Sequence, residues 1–281
     1  MSERKTILLT GAAGMIGSAT AEALCGAGYR VIGVDRAMRE QACWEQYVLD
    51  LSDKAGLTEL IKSNKIHRII HLAALAHATD GRKYSWEDYR HLNVECAQNV
   101  FEAAGDIPVL FISTVDVYGF TKEIVNAKTE ACPVSQYAKS KLMAEQLCKE
   151  LPSYTIFRFS PVYTDTVKRD IQKRYYLKYP KIAYLIGKGA EYEVLNIRGA
   201  VTAMRDWCEE TPENDLLIIK DPHPLNTAEA IKAEKEAGRA KTVLKFPRWM
   251  VQAGYAVLKA LTGKNKYTYL LNKAVNPLRT E

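Results

Sequence analysis

The segment Lys5-Thr6-Ile7-Leu8-Leu9-Thr10-Gly11-Ala12-Ala13-Gly14-Met15-Ile16-Gly17 restricts the fold of this chain more than any other. Ile7 to Leu9 are apolar enough for a buried strand, and Met15 to Leu24 read as a helix. The three glycines between strand and helix sit where backbone must approach something closely. A helix N-terminus carries unpaired N–H groups and about half a positive charge, so a pyrophosphate suits such a turn. Gly11, Gly14 and Gly17 leave room for its oxygens and for tight packing of helix on strand. The spacing is GxxGxxG rather than GxGxxG, and glycines also cap and connect elements, so the turn needs support from its surroundings.

Tyr29-Arg30-Val31-Ile32-Gly33-Val34 reads as the second strand and ends in Asp35. A carboxylate at that place accepts both hydrogen bonds from an adenosine ribose and repels a ribose 2′-phosphate, which favours NAD over NADP. Arg36 pulls the other way, because a guanidinium there stacks on adenine or pairs with a 2′-phosphate.

Strands at about 5–10, 29–34, 47–49, 66–71, 108–113 and 154–159 alternate with helices at about 15–25, 54–63, 86–104 and 136–150. This alternation predicts an α/β fold with a parallel sheet covered by helices on both faces, and ligands at the carboxyl ends of the strands. Gly11, Asp35, Asp50, Ala73 and Ser113 all fall at such ends. The chain has 281 residues, 47% of them hydrophobic, enough for a large core in one domain or two interlocked ones. Its formal charge of +6 is modest, and basic residues are scattered except at Lys168, Arg169, Lys173, Arg174, Lys178 and Lys181. That cluster suits an anionic small molecule better than nucleic acid, or is a solvated basic face. The six cysteines form no C-x-x-C pair and stand beside no histidine at metal-ligand spacing, which points to a reduced, metal-free cytoplasmic protein. No apolar stretch approaches the roughly 20 residues needed to span a bilayer.

The chemistry becomes specific at Tyr137-Ala138-Lys139-Ser140-Lys141, where a Tyr and a Lys lie one helical turn apart on one face. A free phenol, with a pKa of about 10, is a poor base at neutral pH. A nearby ammonium and the positive charge of an oxidised nicotinamide would bring Tyr137 towards the range useful for proton transfer. Such a pair is commonplace on surface helices, so its context matters. The strand Val109-Leu110-Phe111-Ile112 runs into Ser113-Thr114, which places hydroxyls at the same strand ends; Thr114 would orient a substrate hydroxyl towards Tyr137.

Taken together the chain resembles the extended short-chain dehydrogenase/reductase family, in its branch of NAD-dependent nucleotide-sugar epimerases and dehydratases. The motifs are Thr10 to Gly17, Asp50-Leu51-Ser52-Asp53, His71-Leu72-Ala73-Ala74, Asn93-Val94, Ser113-Thr114 with Val117-Tyr118-Gly119, Tyr137 to Lys141, and Arg158 to Tyr163. The resemblance implies a Rossmann-type doubly wound parallel sheet over 1–163, with 164–281 mainly an interleaved substrate-binding region. A strand and helix near 193–210 would return to the main sheet. It also implies that Gly11, Gly14, Met15 and Ile16 line the pyrophosphate, Asp35 with Arg36 beside it the adenosine ribose, and Asp50 and Leu51 the adenine edge. Ala73 and Ala74 would line the nicotinamide half, Tyr137 and Lys141 its ribose, and Pro161 and Val162 its carboxamide. Thr114, Tyr137 and Lys141 resemble the family's catalytic triad. Asn93 resembles a helix-kinking residue that supports Lys141, or is a buried polar group satisfied by backbone.

The second half departs from the family pattern. Val162-Tyr163 continues with Thr164-Asp165 instead of Gly-Pro, Tyr192 stands where many relatives carry an Arg for substrate phosphate, and Gly199 replaces a common Asp. Ser113, Asp116, Arg169, Arg174 and Arg198 are the candidate substrate contacts. Relatives that eliminate water have an acidic pair after the Thr; Val115-Asp116 supplies only one acid, which argues against 4,6-dehydration. Further on, Leu216 to Ile219 and Val243 to Phe246 read as strands and Asn226 as a helix cap. Phe246 to Leu261 reads as a helix, apolar over much of its surface and followed by Gly263-Lys264-Asn265-Lys266, fit for packing on the domain or a partner, or for attachment to a membrane surface.

The expected function is an NAD-dependent oxidoreductase or epimerase acting on a hydroxyl, C4 first, of a nucleotide-diphosphate sugar. A reductase of a 4-keto sugar uses the same residues, and a non-catalytic NAD(P)-binding regulator is the alternative of another class. A homodimer through the helices near 86–104 and 136–150 is expected, with no nucleic-acid partner and no membrane span.

Overall fold

A computed structural model describes residues 4–76, 83–120, 124–167, 169–177, 182–211 and 213–281. Strands β1 (Thr6–Thr10), β2 (Arg30–Asp35), β3 (Glu45–Val48), β4 (Arg68–His71) and β5 (Val109–Thr114) join Tyr154–Phe159 and Asp215–Ile219 in one seven-stranded sheet. Its order is Asp215–Ile219, Tyr154–Phe159, β5, β4, β1, β2, β3, and every neighbouring pair is parallel. The chain winds from β1 outwards to β3, then crosses to β4 and winds the other way. Connections leave β1 and β4 in opposite directions, so a crevice opens beyond their carboxyl ends.

The apolar runs explain the burial on both faces. Leu8, Ile32, Val34, Ile69, Val109, Phe111 and Ile156 face one core together with residues of α2 (Lys54–Ser63), α4 (Cys96–Ala104) and α5 (Gln136–Cys148). Their alternates Ile7, Leu9, Val31, Ile70 and Leu110 are also buried, on the other face. There α1 (Met15–Gly26) packs against the helix Ile197–Glu209. Asp53 caps α2 by accepting the Gly56 N–H at 2.9 Å. The helix expected over 86–104 is interrupted: a short α-helix, α3 (Trp86–Arg90), passes into a π-helical turn at His91–Glu95 before α4 begins.

The chain divides into two compact units. The first contains Met1–Val115, Gln136–Phe159 and Ile197–Ile219, and therefore the whole large sheet. The second contains Asp116–Ser135, Ser160–Asn196 and Lys220–Glu281. It is built from two-stranded pairings, among them Val162–Tyr163 with Leu195–Asn196 and Ala183–Ile186 with Val243–Phe246. Ile171, Tyr175, Tyr176, Ala183, Val194 and Ile231 form its core. Leu195–Asn196 does not enter the large sheet as expected of a strand near 194–197. It stays beside Val162–Tyr163 because the Asp221 carboxylate accepts both the Asn196 N–H, at 2.8 Å, and the Tyr163 hydroxyl, at 3.1 Å. The strand that follows the helix Ile197–Glu209, Asp215–Ile219, is the one that joins the sheet.

In the second unit Asn226 caps the helix Thr227–Glu236. The next helix is Arg248–Thr262, beginning after Pro247, whose missing N–H excludes it from a helix interior. A last helix, Lys266–Val275, has no counterpart among the sequence expectations; Asn265 and Thr268 form its reciprocal cap.

Candidate active site

In the first unit the turn after β1 is held by backbone. Gly11 has φ +74°, and a Cβ there would come within 2.8 Å of the Ala73 nitrogen. A Cβ on Gly17 would meet the Gly11 carbonyl at 2.0 Å. Neither position admits a side chain, so β1, α1 and the segment after β4 close on one another. No side chain caps α1 and its first turn holds no acid, while Gly14 and Met15 are exposed. That leaves a helix N-terminus with positive character facing solvent, which fits a pyrophosphate.

Asp35, at the end of β2, ties this turn to its own strand. Its Oδ2 accepts the Ala13 N–H at 3.0 Å, and its Oδ1 accepts the N–H groups of Arg36 and Ala37 at 2.7 and 3.3 Å. With three of its four lone-pair sites engaged, this carboxylate keeps one, on Oδ2, for a ribose. Asp50 accepts the Ser52 N–H at 2.9 Å, and this bond, with Arg36 nearby, holds its carboxyl below the usual range. Leu51 is buried, and its carbonyl accepts from Asn99 at 2.9 Å.

The Tyr-Lys face of α5 packs against β5. Tyr137 is half-buried, whereas Lys141 is 1% exposed. The Lys141 ammonium lies 4.0 Å above the centre of the Phe111 ring, on β5. Burial pulls it down from 10.5 to about 7, and Glu145 one turn on resists the shift. Phe111 in turn stacks on His71 at 5.7 Å between ring centres. His71 Nδ1 and Thr10 Oγ1 are 2.7 Å apart, and Thr10 Oγ1 accepts the Ala73 N–H at 3.3 Å. Burial, helped by Lys141, pushes the imidazole down to about 3, so it is neutral at pH 7. Thr10, His71, Phe111 and Lys141 thus run as one packed series from the glycine turn to the Tyr-Lys helix.

A sequence model of the NAD dependent epimerase/dehydratase family matches residues 7–209. The chain belongs to this family. It is 29% identical over 165 residues to UDP-glucose 4-epimerase 1 of Oryza sativa subsp. japonica, covering 52% of this chain and 47% of that protein. The chain spans about half the length of the curated relatives it matches first. Among solved structures it is similar to UDP-glucuronic acid 4-epimerase of Bacillus cereus in complex with NAD, with TM-score 0.70 and 23% identity over 86% of this chain and 87% of that one. It is also similar to the UDP-Glc/GlcNAc 4-epimerase of Campylobacter jejuni, with TM-score 0.73 and 20% identity over 96% and 98% of the two chains. At these identities the structures speak for the fold.

Two further residues of the first unit, Asn93, singled out in the sequence, and Glu145, not singled out, tie the Tyr-Lys helix to its surroundings. Asn93, on the π-helical turn, accepts the Leu75 N–H at 2.6 Å and donates to the Leu75 carbonyl at 3.0 Å and to Ser140 Oγ at 2.9 Å. Ser140 donates to the Tyr137 carbonyl at 2.8 Å. Asn93 therefore links the segment after β4 to the turn of α5 that carries Tyr137, with Ser140 as its intermediary. Glu145 is fully buried and accepts from Arg158 Nε and Nη2 at 3.0 and 2.6 Å. Tyr137, Lys141 and Glu145 recur at every fourth residue of α5, and a carboxylate in that series is the signal that would have marked it.

The candidate substrate residues are placed unevenly. Ser113, expected as a substrate contact, is buried and its hydroxyl donates a hydrogen bond of 2.5 Å to Glu145, which makes it a member of the Glu145–Arg158 network. Asp116, in the second unit, pairs with Lys273 at 2.6 Å, a partner 157 residues away that spacing does not reveal. Arg174 lies with its guanidinium 4.9 Å from the centre of the Tyr192 ring, in the same unit. Arg198 is exposed. Pro161 and Val162 are half-buried at the start of the pairing with Leu195–Asn196. Lys168, Lys178, Lys181 and the side chain of Arg169 lie outside the described residues.

Proposed function

We propose that the chain is an NAD-dependent enzyme that oxidises a hydroxyl, C4 first, of a nucleotide-diphosphate sugar and returns the hydride to the opposite face, an epimerase. The observation that carries this reading is the buried lysine: Lys141 lies inside the first unit one turn from a half-buried tyrosine, on the helix packed against β5. A fully buried ammonium is costly unless it serves something. Here a phenolate forming on Tyr137 would favour the charged lysine, and the charged lysine would stabilise the phenolate. Tyr137 then takes the proton of the sugar hydroxyl and gives it back, while Thr114, at the end of β5, holds that hydroxyl in line.

The residues present fit NAD. Gly11, Gly14, Met15 and Ile16 offer backbone to the pyrophosphate, Asp35 its carboxylate to the adenosine ribose, and Asp50 and Leu51 line the adenine. Ala73 and Ala74 belong to the nicotinamide half, to which the family resemblance also assigns Pro161 and Val162. NAD, when bound, supplies the hydride acceptor. In the second unit Arg174 brings a guanidinium to the place of Tyr192, where the family resemblance puts a phosphate-binding arginine, so we assign it to the substrate's diphosphate. Val115 is 3% exposed and cannot donate a proton, which leaves 4,6-dehydration without its acid. Pairing of two copies through the helices near 86–104 and 136–150 belongs to the same proposal.

The test is a panel of nucleotide sugars and their 4-keto forms, followed by product stereochemistry and nicotinamide absorbance. Epimerisation yields product without net NADH; net oxidation of NADH with a keto sugar assigns a reductase instead. Tyr137→Phe removes the acid/base hydroxyl and little contact area, so the rate should fall roughly 100- to 10,000-fold with NAD affinity nearly unchanged. A variant that keeps half of the parent rate ends the assignment.

A further inference from the structure

The helix Arg248–Thr262 shows an apolar face to solvent. It meets the rest of its unit along Val251, Tyr255 and Leu258, and of its residues only Tyr255 is buried. At about 100° per residue, Trp249, Met250, Ala256, Val257, Ala260 and Leu261 gather on a separate arc of roughly 140°, with Arg248, Gln252 and Lys259 along one border. Trp249 is 69% exposed, Val257 59% and Leu261 77%. The solvent side of a surface helix is normally polar. The next helix, Lys266–Val275, extends the surface with Tyr267, 71% exposed, and Leu270, 55% exposed. Between the two helices a groove of about 510 Å³ is lined by Leu258, Tyr267, Leu270 and Leu271 together with Thr262 and Asn265. An exposed apolar surface of this kind marks an interaction site.

Charge identifies the occupant. Between Glu236 and Glu281 the chain has no Asp or Glu and nine Lys or Arg. Lys259 on this helix, Lys245 just before it and Lys264 just after it are exposed. A second copy laid on the same face would bring these cations against themselves. A surface of lipid phosphates over acyl chains matches both components, since apolar side chains enter the headgroup boundary, Trp and Tyr sit at its level, and long basic side chains reach the phosphates. We propose that the surface formed by Arg248–Thr262 and Lys266–Val275 docks the protein on an anionic lipid bilayer.

The whole chain is tested by co-sedimentation with vesicles of phosphatidylcholine alone or mixed with phosphatidylglycerol, and by sedimentation velocity without lipid. Binding is expected to the mixed vesicles, about tenfold or more above phosphatidylcholine alone, and to weaken at high salt. Leu261→Glu and Trp249→Ser, at exposed positions, should each lower partition about tenfold while circular dichroism and NAD binding stay unchanged. Equal partition to both vesicle types, or none, overturns the proposal. So does a Leu261→Glu variant that turns a dimer into a monomer and leaves vesicle binding as it was, which would assign the face to a second copy.

Discussion

The two units spend their polar residues differently. In the first, a carboxylate and an amide are taken deep inside and matched, Glu145 to Arg158 and Ser113 and Asn93 to Leu75 and Ser140, while the half-buried Asp35 accepts from three backbone N–H groups. In the second, one carboxylate, Glu234, is buried and matched by Arg239 and Tyr176, while the ion pairs Lys273–Asp116, Lys220–Glu193 and Arg279–Glu191 keep part of their surface in water, and strands pair only two at a time. Buried matched groups accept one geometry, because any other leaves a polar atom without a partner. Surface pairs and short ribbons accept many. The unit carrying Tyr137, Lys141 and the glycine turn is thus built for fixed positions, as the proposed hydride and proton transfer would demand.

The sharpest way to break this contrast is to remove a matched charge. Glu145→Gln would leave the Arg158 guanidinium buried without its counter-ion, at an expected cost of about 3–5 kcal/mol. Urea unfolding reads it directly. The double variant Glu145→Met with Arg158→Met should recover most of the loss, because two apolar side chains need no partner. If Glu145→Gln unfolds as the parent does, the network is not what fixes the first unit.

The same contrast explains what could be read in advance. The large sheet follows from local signals: apolar runs that bury on both faces, glycines that no side chain can replace, and Asp53 at a helix start. Ile7–Leu9, Gly11 and Asp35 can therefore be placed from their neighbours in sequence. The π-helical turn could be placed only through the kink that the family resemblance puts at Asn93, because the groups Asn93 bonds, on Leu75 and Ser140, lie 18 and 47 residues away. Asp116 was legible as an acid after Thr114 but not as the partner of Lys273. In the second unit the strand Val243–Phe246 and the Asn226 cap are legible locally, but Leu195–Asn196 depends on the distant Asp221, and the helix Lys266–Val275 rests on a cap of Asn265 and Thr268 that no apolar period advertises.

A second prediction separates the units by function. If Arg174 on Tyr192 takes the substrate diphosphate, Arg174→Ala removes a charge-assisted hydrogen bond of about 1.5–3 kcal/mol, roughly ten- to a hundred-fold in kcat/KM. The loss should fall on KM and leave NAD affinity unchanged, since Asp35 and the glycine turn belong to the other unit. Equal weakening of NAD and sugar binding would erase the division of labour.

The third uses pH to read the buried series of the first unit. Burial lowers His71 from 6.5 to about 3 and Lys141 from 10.5 to about 7. Within each window the unfolded chain binds the proton that the folded chain refuses, so stability must rise with pH. It rises from about 3 to 6.5 for His71 and from about 7 to 10.5 for Lys141, and neither contributes a slope outside its window. Each slope is at most about 1.4 kcal/mol per pH unit. His71→Phe, which keeps a ring against Phe111, should flatten the acid window relative to the parent, and Lys141→Met the alkaline one. Parallel stability curves for parent and variants would mean that these groups are hydrated when folded.

The smallest effect tests whether the contrast reaches the surface. Arg30 in β2 meets Glu45 in β3 through two bonds of 2.7 Å and also donates to Asn64 at 2.9 Å, and its hydrogen bond draws the Glu45 carboxyl below its usual range. Arg279 of the second unit meets Glu191 at 3.1 Å. All four side chains are more than a third exposed, so water and salt screen both pairs and each is worth under about 1 kcal/mol. The forked geometry at Arg30 spans two strands of the large sheet and holds both oxygens of Glu45, so less freedom is lost for each bond made. Arg30→Ala should therefore destabilise by a few tenths of a kcal/mol more than Arg279→Ala, a gap that narrows as salt is added. If Arg279→Ala costs as much or more, the difference between the units lies wholly in their interiors, and the edge of the large sheet is as replaceable as the ribbons.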